Sequence, residues 1–270
     1  MPVRREVRIG LALGGGFARG IAHVGILKVL EREKIPLHCI CGVSAGAIVA
    51  AAFASGRTAE EIGNVGATMR FGDVARWTVS RLGLMGSQRM TTFLEHLLKK
   101  MQFEDMQIPL GVVATDIRSG KPYAFRDHGA VAPAIRASCS YPGLFQPFEV
   151  NGRTFVDGAM TVEVPSALAH MMGATHVIAA CIPNQDETFE PQNMFQVVSR
   201  CFQIMMAHSE ESWRRYSDIV LTPDVGRIPW DGFENAKRMI EAGEMAAEAA
   251  LPQIRAWLGQ RGILRFPRSA

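Results

Sequence analysis

The chain has 270 residues, 48% of them apolar and 20% charged, the balance of an ordinary folded protein. That excludes a disordered chain, which lacks the apolar surface to offset its ordering entropy, and a small disulfide scaffold, which a chain able to build a core does not need. Lysine and arginine number 29 against 26 aspartates and glutamates, and the formal charge of +3 is too mild to point to nucleic acid, so no such partner is expected. The cysteines Cys39, Cys41, Cys139, Cys181 and Cys201 are scattered through apolar segments and read as free, buried thiols in a reducing compartment, which predicts a cytoplasmic location. Cys39 and Cys41 are spaced wrongly for a zinc knuckle, and no nearby histidine pair completes one; no metal is expected. No apolar run reaches the ~18 residues of a membrane-spanning helix. Arg4 and Arg5 precede an apolar stretch as in a leader, but three glycines and Arg19 follow it, so it reads as a buried first strand.

In chain order, residues 7–13 form a short apolar strand pattern that stops at Gly14, Gly15 and Gly16. Ile21, Val24, Leu27, Val29 and Leu30 fall near helical spacing over residues 21–33, and Pro36 closes that helix. Residues 37–41 read as a second strand, 42–46 as a sharp turn, and 47–54 as an alanine-rich helix ended by Gly56. This β-α-β-α order predicts a parallel sheet covered by helices. Thr58 to Glu61 form a capping box at a helix start, and residues 91–101 are amphipathic. Strands are expected over 110–115 and 121–126 around a turn at Ser119 and Gly120, then a short helix over 131–138 and a loop over 142–147. Asn151-Gly152 predicts a hairpin between residues 148–150 and 153–156. A helix over 164–172 and a buried strand over 176–180 follow. After Asn184 come a long helix over 195–215, a strand over 219–221 and helices over 233–258. No repeat or linker divides the chain, which predicts one domain over 1–270. Its motif-bearing core covers about 7–182, and a C-terminal helical portion, about 185–270, packs on that core.

Three constellations carry chemistry. Gly42-Val43-Ser44-Ala45-Gly46 is a G-x-S-x-G between an apolar strand and a helix. Such a turn exposes its serine, Gly42 and Gly46 avoid clashes, and the following helix aims its positive end at the reacting centre. Gly14 to Gly20 is a second strand-to-helix turn, whose amides can hold a pyrophosphate or the oxyanion of acyl transfer. A dinucleotide fingerprint is disfavoured, because Phe17 stands where its second glycine belongs and no carboxylate follows the second strand. Arg19 either satisfies loop carbonyls or shapes the anion site. Asp157-Gly158-Ala159 follows a strand; alone it reads as a turn aspartate, and beside Ser44 as a base. A carboxyl with the usual pKa of about 3.9 is a poor base unless its site is dry. A Ser-Asp-His triad would use His170, His176 or His208. None of these lies in a Gly-flanked loop that would deliver it to Ser44, and most of the histidines, with His23, His38, His96 and His128, read as surface or partly buried packing residues, which disfavours a triad.

Together these residues resemble the patatin-like phospholipase family. Leu13 to Gly20 resemble its glycine-rich oxyanion loop, residues 42–46 its nucleophile elbow, Arg136 to Pro147 its third block and Asp157-Gly158-Ala159 its D-G-[AG] motif, in that order. The resemblance covers about residues 7–182 and implies a three-layer α/β/α sandwich with a mainly parallel central sheet. It further implies a Ser–Asp dyad without metal or cofactor, in which Ser44 attacks an acyl ester and Asp157 accepts its proton. Amides among Gly14, Gly15, Gly16, Phe17 and Ala18 would hold the oxyanion, with Arg19, Gly20, Gly42, Gly46, Gly158 and Ala159 supporting the turns. The implied activity is hydrolysis of fatty-acyl esters of lipids, of phospholipase or lysophospholipase type, through an acyl-enzyme. The rival on the same scaffold is a catalytically silent lipid-binding or regulatory protein. Two departures stand out. Phe17 replaces a glycine of bacterial relatives, at a cost of about 1 kcal/mol if φ is positive there. Residues 161–165 lack the Asn-Pro step often found in the family.

A fatty-acyl substrate requires an apolar channel. Its expected walls are a cap with Phe71, Trp77, Leu82, Leu84 and Met85, and a flexible wall with Met194, Phe202, Met205 and Met206, for which plain core packing is the favoured rival. Arg70, Arg76, Arg81 and Arg89 make the cap basic, as do Arg4, Arg5, Arg8, Arg261, Arg265 and Arg268 the two ends. These charges would suit peripheral contact with the anionic inner face of a membrane, at about 1 kcal/mol each, against the rival of a solvated charged face.

Overall fold

The computed structural model describes residues 6–77, 82–183, 190–225 and 228–259. The first half contains β1 (Ile9–Leu13), α1 (Ala22–Arg32), β2 (Leu37–Val43), α2 (Ala45–Ala54), α3 (Ala59–Thr68), α4 (Phe71–Val74), β3 (Arg76–Trp77), β4 (Met85–Gly86) and α5 (Gln88–Leu97). Then come β5 (Leu110–Asp116), β6 (Lys121–Arg126), α6 (Val131–Ser138), β7 (Phe148–Val150), β8 (Arg153–Asp157), α7 (Ser166–Met171) and β9 (His176–Ala180). The chain closes with α8 (Met194–His208), α9 (Glu210–Arg214), β10 (Ile219–Leu221) and α10 (Ala236–Gly259).

Eight of these strands form one sheet in the order β10-β9-β1-β2-β5-β8-β7, with β6 also on β5. From β10 to β5 every pairing is parallel, while β6, β7 and β8 join antiparallel. Side chains of a strand alternate between faces, and here the alternation separates two cores. Leu11, Leu13, Ile40, Val112 and Ile178 pack with α1, α2, α6 and α10 on one face. Ala12, Cys41, Val43, Val113 and Val177 pack with α7 and Trp213 of α9 on the other. The result is the expected three-layer α/β/α arrangement around a mixed sheet that is parallel where β1 and β2 lie. Helix α10 docks on α1 through Gly25 and Gly243, where an added Cβ would collide with the facing backbone.

One feature of the sheet positions the chemistry. Strand β6 occupies one edge of β5 from Gly111 to Asp116, so β2 and β8 share the other. Val43, the last residue of β2, pairs with Val113, and Asp157, the last residue of β8, pairs with Ala114. The two strands run toward each other along β5, and their C-terminal ends meet.

Several expected boundaries move for local reasons. The expected helix over 164–172 starts at Ser166, because a residue preceding a proline disfavours helical dihedrals and Pro165 follows Val164. The expected amphipathic helix over 91–101 spans Gln88–Leu97. The long helix expected over 195–215 divides into α8 and α9 at Ser209, whose hydroxyl donates to the Met206 carbonyl at 2.8 Å. The Thr58 capping box is present, with reciprocal bonds to Glu61 of 3.1 and 2.8 Å. The hairpin turn has φ 51° at Asn151 and 72° at Gly152, as a tight two-residue turn requires. Among the described residues, no helix is long and apolar enough to cross a membrane.

Candidate active site

Ser44 is the whole turn between β2 and α2, tighter than the five residues expected. It holds φ 53° and ψ −125°, a backbone conformation L-residues rarely adopt. Its amide donates to Ser138 Oγ at 2.8 Å, and that hydroxyl donates in turn to the Val113 carbonyl at 2.6 Å. Glycines flank it because space demands them: a Cβ on Gly46 would strike the Leu13 and Gly14 carbonyls, and one on Gly42 would lie 2.5 Å from Ala47 Cα. Although Ser44 stands at the start of α2, its side chain does not cap that helix. The hydroxyl donates instead to Asp157 Oδ2 at 2.7 Å.

Asp157 ends β8 and opens the 3-10 turn Gly158–Met160. Its second oxygen, Oδ1, accepts the Ala159 amide at 2.9 Å. Its backbone is fixed as well: the amide donates to the Ser140 carbonyl, and the carbonyl accepts Thr115 Oγ1, both at 2.9 Å. Asp157 is 1% exposed and Ser44 9%. Burial pushes the Asp157 carboxyl up to about 6, against the opposing pull of the Ala159 amide and the Ser44 hydroxyl. Cys139 is buried beside this pair, and burial and the Asp157 charge push its thiol well up, so it stays protonated. No described histidine hydrogen-bonds Ser44 or Asp157. His170 is held by the Ala174 and Tyr216 carbonyls, His176 packs on Trp257, and His208 ends α8.

The glycine loop lies against the elbow. Gly16 has φ 149°, and Phe17, opening the 3-10 turn Phe17–Ile21, has φ 50°, so the expected strain is present. His23, fully buried in α1, bonds the Gly14 carbonyl through Nε2 at 2.9 Å, and burial drives its pKa down to about 4. The expected set of five amide donors narrows. Gly14 donates to the Ala180 carbonyl at 2.9 Å as it leaves the sheet, and Ala18 donates to the Trp230 carbonyl at 3.0 Å, so both amides are already engaged. Among the described residues, the amides of Gly15, Gly16 and Phe17 have no such acceptor. Gly20 packs on Ala45, and Gly158 approaches the Val113 carbonyl, in both cases too closely for a Cβ. Arg19 lines the cavity beside Asp157.

Two cavities open at Ser44. One is apolar, with Ile48, Val74, Met90 and Phe145 among its walls; the other carries Arg19, Glu163, Ser199 and Gln203 beside Tyr141, Ile182 and Met206. Of the expected cap, Phe71 lines the apolar cavity and Met85 is buried beside it, whereas Leu82 and Leu84 face solvent. The Trp77 side chain and Arg81 lie outside the described residues. Met206 lines the polar cavity and Phe202 meets Tyr141 at 5.8 Å, but Met194 and Met205 point outward on α8 and do not form the wall expected of them. Arg8 donates to the Gly173 carbonyl at 2.7 Å at the opposite end of β1 from the site. Arg4, Arg5, Arg261, Arg265 and Arg268 lie outside the described residues.

The sequence did not point to Trp230 and Phe233 of the apolar cavity or to the support Thr115, and it marked Ser138 and Ser140 only as part of the third block, without their contacts. A lone tryptophan between Pro229 and Asp231-Gly232, in a turn rather than a periodic segment, was the available signal for the first.

Comparison with known proteins agrees with this architecture. An uncharacterized NTE family protein of Mycobacterium tuberculosis is 32% identical over 178 residues, covering 65% of this chain and 49% of that protein. Patatin-like phospholipase domain-containing protein 6 of Homo sapiens is 30% identical over 188 residues, 67% of this chain and 14% of that protein. The chain thus spans about half the length of the mycobacterial relative and much less of the human one. The crystal structure of VipD from Legionella pneumophila shares the fold, with a TM-score of 0.53 at 14% identity over 92% of this chain and 67% of VipD. The sequence pattern of the patatin-like phospholipases matches residues 11–170. With that pattern running over more than half its length, the chain belongs to the patatin-like phospholipase family.

Proposed function

We propose that the protein is a serine hydrolase of fatty-acyl lipid esters, working through a Ser44–Asp157 dyad and an acyl-enzyme. The observation that carries this reading is the 2.7 Å bond from Ser44 Oγ to a buried carboxyl whose pKa burial pushes up to about 6. At neutral pH that carboxyl is ionised, yet basic enough to take a proton in a transition state. As Ser44 Oγ attacks the ester carbonyl, its proton passes to Asp157 Oδ2. The carbonyl oxygen, now anionic, takes hydrogen bonds from amides of Gly15, Gly16 and Phe17 at the positive end of α2. Collapse of the intermediate breaks the bond to the alcohol, which leaves with the proton from Asp157. A water then attacks the acyl-Ser44 ester with Asp157 again as base, releasing the fatty acid and restoring the hydroxyl. The Ala159 bond to Oδ1 keeps Oδ2 aimed at the serine throughout. The apolar cavity offers the acyl chain hydrophobic walls.

The test is release of octanoic acid from p-nitrophenyl octanoate. The wild type is expected to turn over, and Ser44→Ala to lose turnover with an unchanged circular dichroism spectrum. A wild type that binds octanoate-chain lipid without hydrolysing any ester supports the silent lipid-binding alternative instead.

A further inference from the structure

Among the described residues, only three line both cavities: Ser44, Phe17 and Trp230. The Phe17 and Trp230 rings meet edge to face, with centroids 5.2 Å apart. Tyr141 backs Phe17 at 5.0 Å, and Phe71 backs Trp230 at 5.6 Å. The bond from the Ala18 amide to the Trp230 carbonyl ties the two backbones together beside the rings. The nucleophile therefore sits at the foot of an aromatic wall with a chamber on each side. One chamber is lined almost wholly by aliphatic and aromatic side chains; the other sets the polar Arg19, Glu163, Ser199 and Gln203 among apolar walls such as Ile182 and Met206, and of the two only it carries charged side chains besides Asp157. Phe17 holds φ 50°, which glycine would adopt without strain, and the donor role of its amide requires no side chain. The strained residue contributes its ring, and the ring is part of the wall.

We propose that Phe17 is a specificity-determining residue whose ring, with Trp230, confines the acyl chain to the apolar chamber and the alcohol of the ester to the polar one. The inference rests on the hydrolase reading and adds to it a rule for which half of the ester goes where. Esters of polar alcohols are then preferred over esters of aliphatic alcohols. An aliphatic alcohol in the second chamber strips water from Glu163 and Gln203 without replacing its hydrogen bonds, and the wall denies it the apolar chamber.

The experiment compares kcat/KM for 1-octanoyl glycerol and octyl octanoate in the wild type, Phe17→Gly and Trp230→Ala. Phe17→Gly removes the ring where glycine suits the backbone. Trp230→Ala opens the same wall from the other side and keeps the carbonyl that holds Ala18. Both variants are expected to lower the preference for the glycerol ester about tenfold, the scale at which pocket contacts discriminate. An equal fall on both esters, with the preference unchanged, would mean that the rings only hold the loop, and would overturn the proposal. A wild type that hydrolyses neither ester overturns it as well; a fluorophosphonate label on Ser44 in that protein would leave the hydrolase reading standing, and no label would remove both.

Discussion

The glycine loop after β1 and the elbow after β2 each force a non-glycine residue into positive φ, Phe17 at 50° and Ser44 at 53°, but they hold that strain by different means. Such a residue costs on the order of 1–3 kcal/mol, and the surrounding structure must over-determine it. At Ser44 the restraint is polar: the amide is fixed by Ser138 and the hydroxyl by Asp157. At Phe17 it is apolar: the ring is held between Tyr141 and Trp230. A reacting atom must be placed by directional bonds, which set angle as well as distance. A wall only has to stay where it is, and packing suffices for that. The two turns also lean on each other, since Gly46 abuts the Gly14 carbonyl and Gly20 abuts Ala45.

The polar turn is the more sensitive of the two. Asp157→Asn leaves the elbow in place but removes the proposed base, and kcat is expected to fall about 10⁴-fold, the scale of losing one member of a catalytic unit. Ester hydrolysis on the purified variant checks this. Gly46→Ala is next. Its Cβ would push the glycine loop off the elbow, lowering stability by about 1–3 kcal/mol, the usual scale of overpacking, and turnover at least about tenfold. Urea unfolding and the ester assay read the two effects.

The groups bonded to the two turns, Asp157 to the elbow and His23 to the glycine loop, titrate in opposite senses. The folded Asp157 carboxyl lies at about 6 against 3.8 for an ordinary one. Its contribution to stability is full below pH 3.8 and is lost as pH rises through about 6. The Tm of Asp157→Asn is therefore expected to gain on the wild type between pH 4 and 7. For the wild type, kcat/KM rises over the same window as the base ionises, and a pH profile of the ester assay checks this. His23 lies at about 4 in the folded protein against 6.5 ordinarily. Its contribution is full above pH 6.5 and is lost as pH falls through about 4. His23→Gln, which can still donate to the Gly14 carbonyl, is expected to flatten the loss of Tm between pH 6.5 and 4; this is the smallest of these effects.

Much of the polar turn is legible in the chain because its geometry is local. A serine between two glycines, between a strand and a helix, leaves few backbone paths, and Asp157-Gly158 marks the turn whose carboxylate accepts its hydroxyl. The pairing of the two is not local. It arises because β2 and β8 meet along one edge of β5, and no spacing in the sequence reports a strand that enters antiparallel. The supporting contacts of Thr115, and of Ser138 and Ser140 within the third block, are hidden for the same reason: a hydroxyl's partner is set by tertiary contact. The apolar turn is less legible. Phe17 stands out as a departure from glycine, but its partner Trp230 lies more than two hundred residues away in a turn without periodicity. On α8 the apolar side chains face both ways, so Met206 reaches the polar cavity while its neighbour Met205, about 100° around the helix, faces solvent.

If Asp157 makes Ser44 nucleophilic, as proposed, the reactivity of the serine depends on that carboxylate. Reaction with a fluorophosphonate, followed by peptide mapping of the adduct, tests it directly, with Asp157→Asn measured alongside. One adduct is expected, on Ser44, forming quickly in the wild type and at least about a hundredfold more slowly in the variant. An adduct on another residue, or equal rates in the two proteins, would contradict it.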